Sequence, residues 1–340
     1  MTFDTSRQRL NGLVDSFAGR RLIVAGDYVL DRFVYGHPKR ISREAPVLIL
    51  RFWKEESLPG GAGNTAANVA ALGGQPVPVG VLGQDDAGRT LRQLLEQRRI
   101  PTGGLVAAAS YATPTKTRIL GGAAHSIKQQ IVRLDRESHL AADEATAASL
   151  SRSLAEAARG AAGAILSDYG YGAVSHNAVP PLREALPQGA PILVDSRHHL
   201  ATYRGVDAIT PNEEELEECA GKTLDESASA LESAVLSLKR EVGCSTVLVT
   251  RGSRGMALFS GGDPPTYIPV HGTDQVADVT GAGDTVLAAF SLALAAGAEP
   301  LEAALLANFA GGVVVMKMGT STVTPQELKD AIASDRALLR

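Results

Sequence analysis

The chain has 340 residues with 33 basic against 37 acidic side chains and a formal charge of -4. That balance offers no basic field for nucleic acid, and 4% aromatic residues provide few platforms for stacking bases. The longest apolar runs, such as 286–296, are too short to span a bilayer, so a membrane partner is not expected. The polar start MTFDTSRQRLNGLVDSF has no secretory apolar stretch. Cys219 and Cys244 lack metal or redox spacing and read as spare thiols in a reducing compartment. A cytoplasmic location is the expectation.

In chain order, short β-branched runs alternate with longer helical patterns. Residues 22–25, 77–81, 164–166, 192–194 and 246–249 are apolar on both faces, as buried parallel strands are. Helical patterns occupy 63–73, 86–99, 141–158, 175–186, 226–241, 282–296 and 300–316. This alternation predicts an α/β fold, a doubly wound, mostly parallel sheet flanked by helices, in a single domain over residues 1–340. Two segments, within 33–56 and 112–135, break it with alternating apolar and polar residues. They read as antiparallel strands of a small β lid over the carboxyl ends of the main strands, where such sheets bind ligands. An edge hairpin without a role is the plainer alternative.

The segment Asp278-Val-Thr-Gly-Ala-Gly-Asp284 opens an apolar helix. Gly281 and Gly283 let successive amides converge, and a helix N-terminus favours an anion. Asp284 then stands in the first turn, where it can take a proton from a hydroxyl attacking a phosphoryl group. Read alone, it is equally a helix cap. No Gly-Lys-Ser/Thr follows, so this is not a Walker A loop. Gly61-Ala-Gly63-Asn-Thr-Ala66 fits a dinucleotide fingerprint, but it does not follow the first strand, where Gly26-Asp27 stands instead.

Four ordered segments resemble the signatures of the ribokinase/PfkB family of sugar kinases: Pro59–Ala70, Pro211–Glu215, Val249–Met256 and Asp278–Asp284. The resemblance implies a ribokinase-like fold and transfer of the ATP γ-phosphoryl to a sugar hydroxyl. It implies Asp284 as base, with the amides of Gly281, Ala282 and Gly283 holding the developing charge. ATP would meet Asn212, Glu215, Thr250, Gly252, Gly255 and Asn308. Glu215 would orient water on Mg²⁺, while Asp278 and Thr280 would offer oxygens to a monovalent cation such as K⁺. Asp27 and Asp31, at the carboxyl end of the first strand, suit sugar hydroxyls, and Gly60, Gly61 and Asn64 would line the same pocket.

Gly26–Gly36, Arg40–Val47, Gln129–Asp135, Ser167–Gly170 and Lys317–Pro325 are similar to one branch of that family, the kinases of D-glycero-β-D-manno-heptose 7-phosphate. Lys116 and Arg118, two apart in a lid strand, share a face. With Arg40 and Arg43 they either meet the sugar's phosphate or guard an edge. The branch commonly reads Asp-Pro-Lys-Gly where this chain has Asp195-Ser-Arg197-His, and Arg does not replace Lys neutrally at a phosphate. The sugar therefore stays open between this heptose and another sugar. A silent sugar-binding regulator is the other reading. Lids of this family often pair between subunits, which implies a homodimer through the lid.

Overall fold

The computed structural model describes residues 5–122, 128–140, 144–225, 227–272 and 277–335. Residues 123–127 of the expected lid, and the starts of two expected helices at 141–143 and 226, lie outside the described residues. Among the described residues the helices are α1 (Arg7–Asp15), α2 (Ala62–Ala71), α3 (Asp86–Gln97), α4 (Glu144–Ala158), α5 (Val179–Ala185), α6 (Glu213–Ala220), α7 (Ala228–Val242), α8 (Ala282–Ala295), α9 (Pro300–Val314) and α10 (Pro325–Ser334). The strands are β1 (Arg21–Gly26), β2 (Tyr28–Ile41), β3 (Leu48–Gly61), β4 (Gln75–Gly83), β5 (Leu105–Ala108), β6 (Thr115–Gly121), β7 (Gln129–Arg136), β8 (Gly163–Asp168), β9 (Ile192–Ser196), β10 (Ala208–Ile209), β11 (Thr246–Thr250), β12 (Met256–Ser260) and β13 (Thr266–Ile268).

Among the described residues, nine strands form the main sheet in the order β13-β12-β11-β10-β9-β8-β1-β4-β5. Its pairings are parallel apart from those of β12 and β13. Successive side chains of β1 feed opposite cores. Leu22 and Val24 join helices α1, α2, α3, α8, α9 and α10, whereas Ile23 and Ala25 join α4, α5 and α7. Period-2 alternation between two apolar layers is why these strands read as continuous apolar runs. α8 and α9 are buried along most of their length and rich in Ala, which lets them pack closely.

The lid is a second sheet of order β3-β2-β6-β7. β2–β3 and β6–β7 are antiparallel, as expected, but the two pairs join through a parallel β2–β6 contact that sets Asp31 against Lys116 and Phe33 against Arg118. β1 runs almost directly into β2, and β3 runs directly into α2. The lid is thereby rooted at the carboxyl end of β1, where the sheet holds its site.

Candidate active site

The catalytic loop is shaped by one glycine. Gly281 has φ +77°, and a Cβ there would lie 2.4 Å from Asn64 Nδ2, so a side chain is excluded by both space and conformation. Asp284 follows in the first turn of α8, only 3% exposed. Its carboxylate accepts from Asn64 Nδ2 at 2.8 Å, Tyr169 Oη at 2.9 Å and Thr65 Oγ1 at 3.3 Å. Burial pushes its pKa up to about 6, against the lowering pull of the bonds from Asn64 and Tyr169. A carboxylate fixed by three donors and poised near neutral pH is suited to accept a proton. It is therefore more than a helix cap.

Asp278 ties this loop down. Its Oδ1 accepts from Thr280 N at 2.9 Å and its Oδ2 from Gly319 N at 3.0 Å. A K⁺ held by Asp278 and Thr280 would share a carboxylate already fixed in place.

On the sugar side, Asp31 lies over Gly60, where a Cβ would come within 2.2 Å of Asp31 Oδ2. Asp31 pairs with Arg118, whose guanidinium lies 5.3 Å from the Phe33 ring. Lys116 is nearly buried and sits 5.1 Å from the Tyr169 ring centre, while the Arg197 guanidinium stands 4.6 Å from the same ring. Burial first, and Arg197 second, bring the Lys116 pKa down to about 8. Asp31, Gly60, Asn64, Lys116 and Arg118 thus gather around Asp284 and Tyr169. Gly61 takes φ +56° at the β3–α2 junction, with Asp27 O and the Tyr169 ring against it.

Asp27 requires a correction. It is fully buried, and its oxygens accept backbone N–H groups of Tyr169 at 2.9 Å, Tyr171 at 3.0 Å and Ala173 at 3.0 Å. It anchors the loop after β8, leaving Asp31 as the carboxylate available to a sugar. Tyr169 was not singled out from the sequence, nor was Thr65. The signals for Tyr169 were its place in the segment Ser167–Gly170 and just past the carboxyl end of β8, beside β1 in the sheet.

The nucleotide candidates follow β10 and β11. Asn212 and Glu215 form a reciprocal cap on α6: Glu215 N donates to Asn212 Oδ1 at 2.8 Å and Asn212 N to Glu215 Oε2 at 2.9 Å. Asn212 also bridges Thr250, so both strand ends meet here. Burial raises the Glu215 pKa. Asp195 at the end of β9 is pushed well up by burial and by the charges of Glu215 and Asp284, with Arg197 opposing. Asp195, Glu215 and Arg197 thus lie close enough to feel one another's charge. Among the described residues no three carboxylates converge into a metal cage.

Gly252, with φ +56°, has open space beside it, as a ligand-facing glycine needs. Gly255 does not: a Cβ would meet Ile268 O at 2.1 Å, so this glycine serves the approach of β13. Asn308 is also reassigned, because its Nδ2 donates to Pro269 O at 2.9 Å and ties α9 to the strand's exit.

A doubly wound sheet with a β lid, and a buried carboxylate at the N-terminus of a glycine-led helix, define a phosphoryl-transfer enzyme that acts on a hydroxyl. The profile of the pfkB family carbohydrate kinases matches residues 24–327. The chain belongs to this family and is a sugar kinase. It is 40% identical over 315 residues to the bifunctional protein HldE of Caulobacter sp. (strain K31), covering 92% of this chain and 63% of the relative. To the HldE of Azotobacter vinelandii it is 39% identical over 317 residues, 93% of this chain and 64% of that one. The chain thus spans a little under two thirds of these relatives. Its fold matches Arabidopsis thaliana ribokinase complexed with ribose and ATP (TM-score 0.72, 22% identity, 94% and 100% of the two chains). It also matches Escherichia coli phosphofructokinase-2 in complex with substrates and products (TM-score 0.74, 20% identity, 95% and 100%).

Proposed function

We propose that the chain transfers the γ-phosphoryl group of MgATP to the anomeric hydroxyl of D-glycero-β-D-manno-heptose 7-phosphate, giving the 1,7-bisphosphate, a precursor of ADP-heptose. The observation that carries the reaction is Asp284, buried among three donors with a pKa near 6. The hydroxyl proton passes to Asp284 as the new O–P bond forms and the bond to ADP breaks. The amides of Gly281 and Gly283 would hold the charge on the transferring group, whereas that of Ala282, expected to share the task, donates to Val279 O at 3.2 Å. Glu215 and Asp195 would hold Mg²⁺ through water, the ion neutralising phosphate charge.

A phosphorylated sugar is supported by Lys116 and Arg197, two cations that both lie against the Tyr169 ring, whose hydroxyl reaches the base. The likeness to the HldE proteins points to the heptose. Arg197 in place of the branch's Lys is the feature that favours another sugar phosphate. The exposed lid side chains Ile41, Phe52, Trp53 and Leu134 support pairing of two copies through the lid. No helix among the described residues is long and apolar enough to cross a membrane, and use of ATP supports a cytoplasmic site. ADP release with MgATP and a panel of sugars tests the reading. Turnover with heptose 7-phosphate well above ribose or fructose 6-phosphate is expected. Preference for another member reassigns the sugar, and no turnover with any sugar, heptose 7-phosphate included, refutes the kinase.

A further inference from the structure

Three polar side chains of α2 stand behind the base. Asn64 and Thr65 reach the Asp284 carboxylate directly. Asn68, one turn further along and fully buried, turns to Asn64 instead: its Nδ2 donates to Asn64 O at 3.1 Å and to Asn64 Oδ1 at 3.2 Å.

The sense of each bond is fixed from both ends. A backbone carbonyl only accepts, so the Asn68 atom against Asn64 O must be the nitrogen. Its second proton then faces Asn64 Oδ1, which must accept. That leaves Asn64 Nδ2 on the side of the catalytic loop, where Asp284 Oδ2 at 2.8 Å and Gly281 O at 3.3 Å take its protons. From the other end, a carboxylate and a carbonyl demand the same nitrogen. The relay leaves a residue of its own: Asn68 Oδ1 is buried with no hydrogen-bond partner among the described residues. An unpaired buried acceptor disfavours the folded chain, so this amide is costly, and what it secures is the orientation of Asn64.

We infer that Asn68 is a positioning residue for phosphoryl transfer: by holding Asn64 in one orientation, it obliges Asn64 to meet Asp284 as a donor and never as an acceptor. The inference rests on Asp284 being the base. An amide free to turn over would donate to the carboxylate and accept from the carboxylic acid, stabilising both forms. Held by Asn68, it serves the carboxylate alone, the form that takes the hydroxyl proton. The other titratable groups about the base are Asp31 on β2, Tyr169 after β8 and Asp195 at the end of β9, with Lys116 and Arg197 against the Tyr169 ring. Replacing Asn68 alters none of these charges.

Full pH profiles of kcat/KM test it, taken on the sugar that turns over best, for the wild type, Asn68→Leu, Asn64→Leu and the double variant. Asn68→Leu keeps the branching of the side chain and removes the donor; Asn68→Val serves if the longer side chain does not fold. The acid limb should rise by roughly half to one pH unit in Asn68→Leu, the net worth of one neutral hydrogen bond read as a shift in pH. In Asn64→Leu, which loses a bond to a charged group, it should rise by roughly one to two units. Adding Asn68→Leu to Asn64→Leu should move the limb no further, because the side chain that transmits the effect is gone. A role confined to stabilising α2 would lower the melting temperature and leave the limb near 6. If the limb moves in Asn64→Leu and not in Asn68→Leu, the inference fails while Asp284 as base stands. Equal shifts from Asn68→Leu with and without Asn64 also overturn it, since Asn68 would then act by another route. A limb that moves in neither single variant refutes both the inference and the base.

Discussion

Tyr169→Phe isolates one of the three hydrogen bonds that hold the base. The ring stays, so its contacts with Lys116 and Arg197 are kept, and only the phenol hydrogen bond to Asp284 Oδ1 at 2.9 Å is lost. The wild-type phenol stays protonated, because burial and Asp284 push its pKa well up; it donates at every working pH. A hydrogen bond to a charged group contributes about 1.5–3 kcal/mol, and one pH unit is about 1.4 kcal/mol. Losing a donor that favours the carboxylate therefore raises the Asp284 pKa from about 6 by roughly one to two units. The acid limb of the kcat/KM profile should move from near pH 6 to between about 7 and 8. At pH 6.5 the variant should lose activity, and with the upper limb held near 8 by Lys116 the active window should narrow toward that limb. An acid limb that stays in place, or moves downward, would show that Tyr169 does not set the ionisation of the base.

Three further outcomes follow from the same geometry. Asp284→Asn should lower kcat by at least roughly 10²–10⁴-fold with sugar binding retained, and near-normal turnover would sink the mechanism. The buried carboxyl's folded pKa is raised, so its ionisation costs stability as pH rises through about 6. The Asn variant should therefore melt closer to, or above, the wild type at pH 8 than at pH 4, by up to about 3 kcal/mol. Arg118→Ala removes the ion-pair partner of nearly buried Asp31 and leaves Lys116 as its remaining cation; it should destabilise by up to about 3–5 kcal/mol and raise KM for the sugar more than KM for ATP, and equal changes would count against a sugar-side role. Replacing the exposed Phe52 and Trp53 with Ser should turn a dimer into a monomer in sedimentation, whereas an unchanged dimer would place the interface elsewhere.

The main strands were legible because both their faces are buried, which writes β1, β8, β9 and β11 as unbroken apolar runs. The start of α8 was legible because a glycine pair before a long apolar run marks a turn into a helix. β10 escaped notice because two residues, Ala208–Ile209, carry no periodicity. α10 was legible and overlooked: Thr324 and Glu327 form a capping box with Pro325 at the first position, a local signal. The errors within the site share a cause. Asp27 is satisfied by amides more than 140 residues away, and Tyr169 reaches Asp284 across 115. Such pairings arise from the order in which strands join the sheet, which local patterns do not encode. Gly255 shows the same limit: its positive φ of +77° fits a nucleotide loop, but the neighbour that demands a glycine is β13.

On the proposed mechanism Lys116 would give the reaction an upper pH limit as Asp284 would give a lower one. Burial disfavours its charged form, the nearby Arg197 disfavours it further, and Asp31 opposes both, leaving a pKa of about 8. Phosphate recognition needs the ammonium, and proton abstraction needs the carboxylate. The competent state therefore exists between about pH 6 and pH 8, and kcat/KM should trace a bell with limbs near those values. The assignment of the alkaline limb is separable from that of the base. Lys116→Arg keeps a cation that stays charged at every working pH, so the alkaline limb should move beyond the range of the assay while the acid limb stays near 6. The plateau should also fall, because a planar fork does not occupy the place of a compact ammonium. If the alkaline limb remains near 8 in Lys116→Arg, another group closes the window and Lys116 is not the cation that binds the anionic substrate.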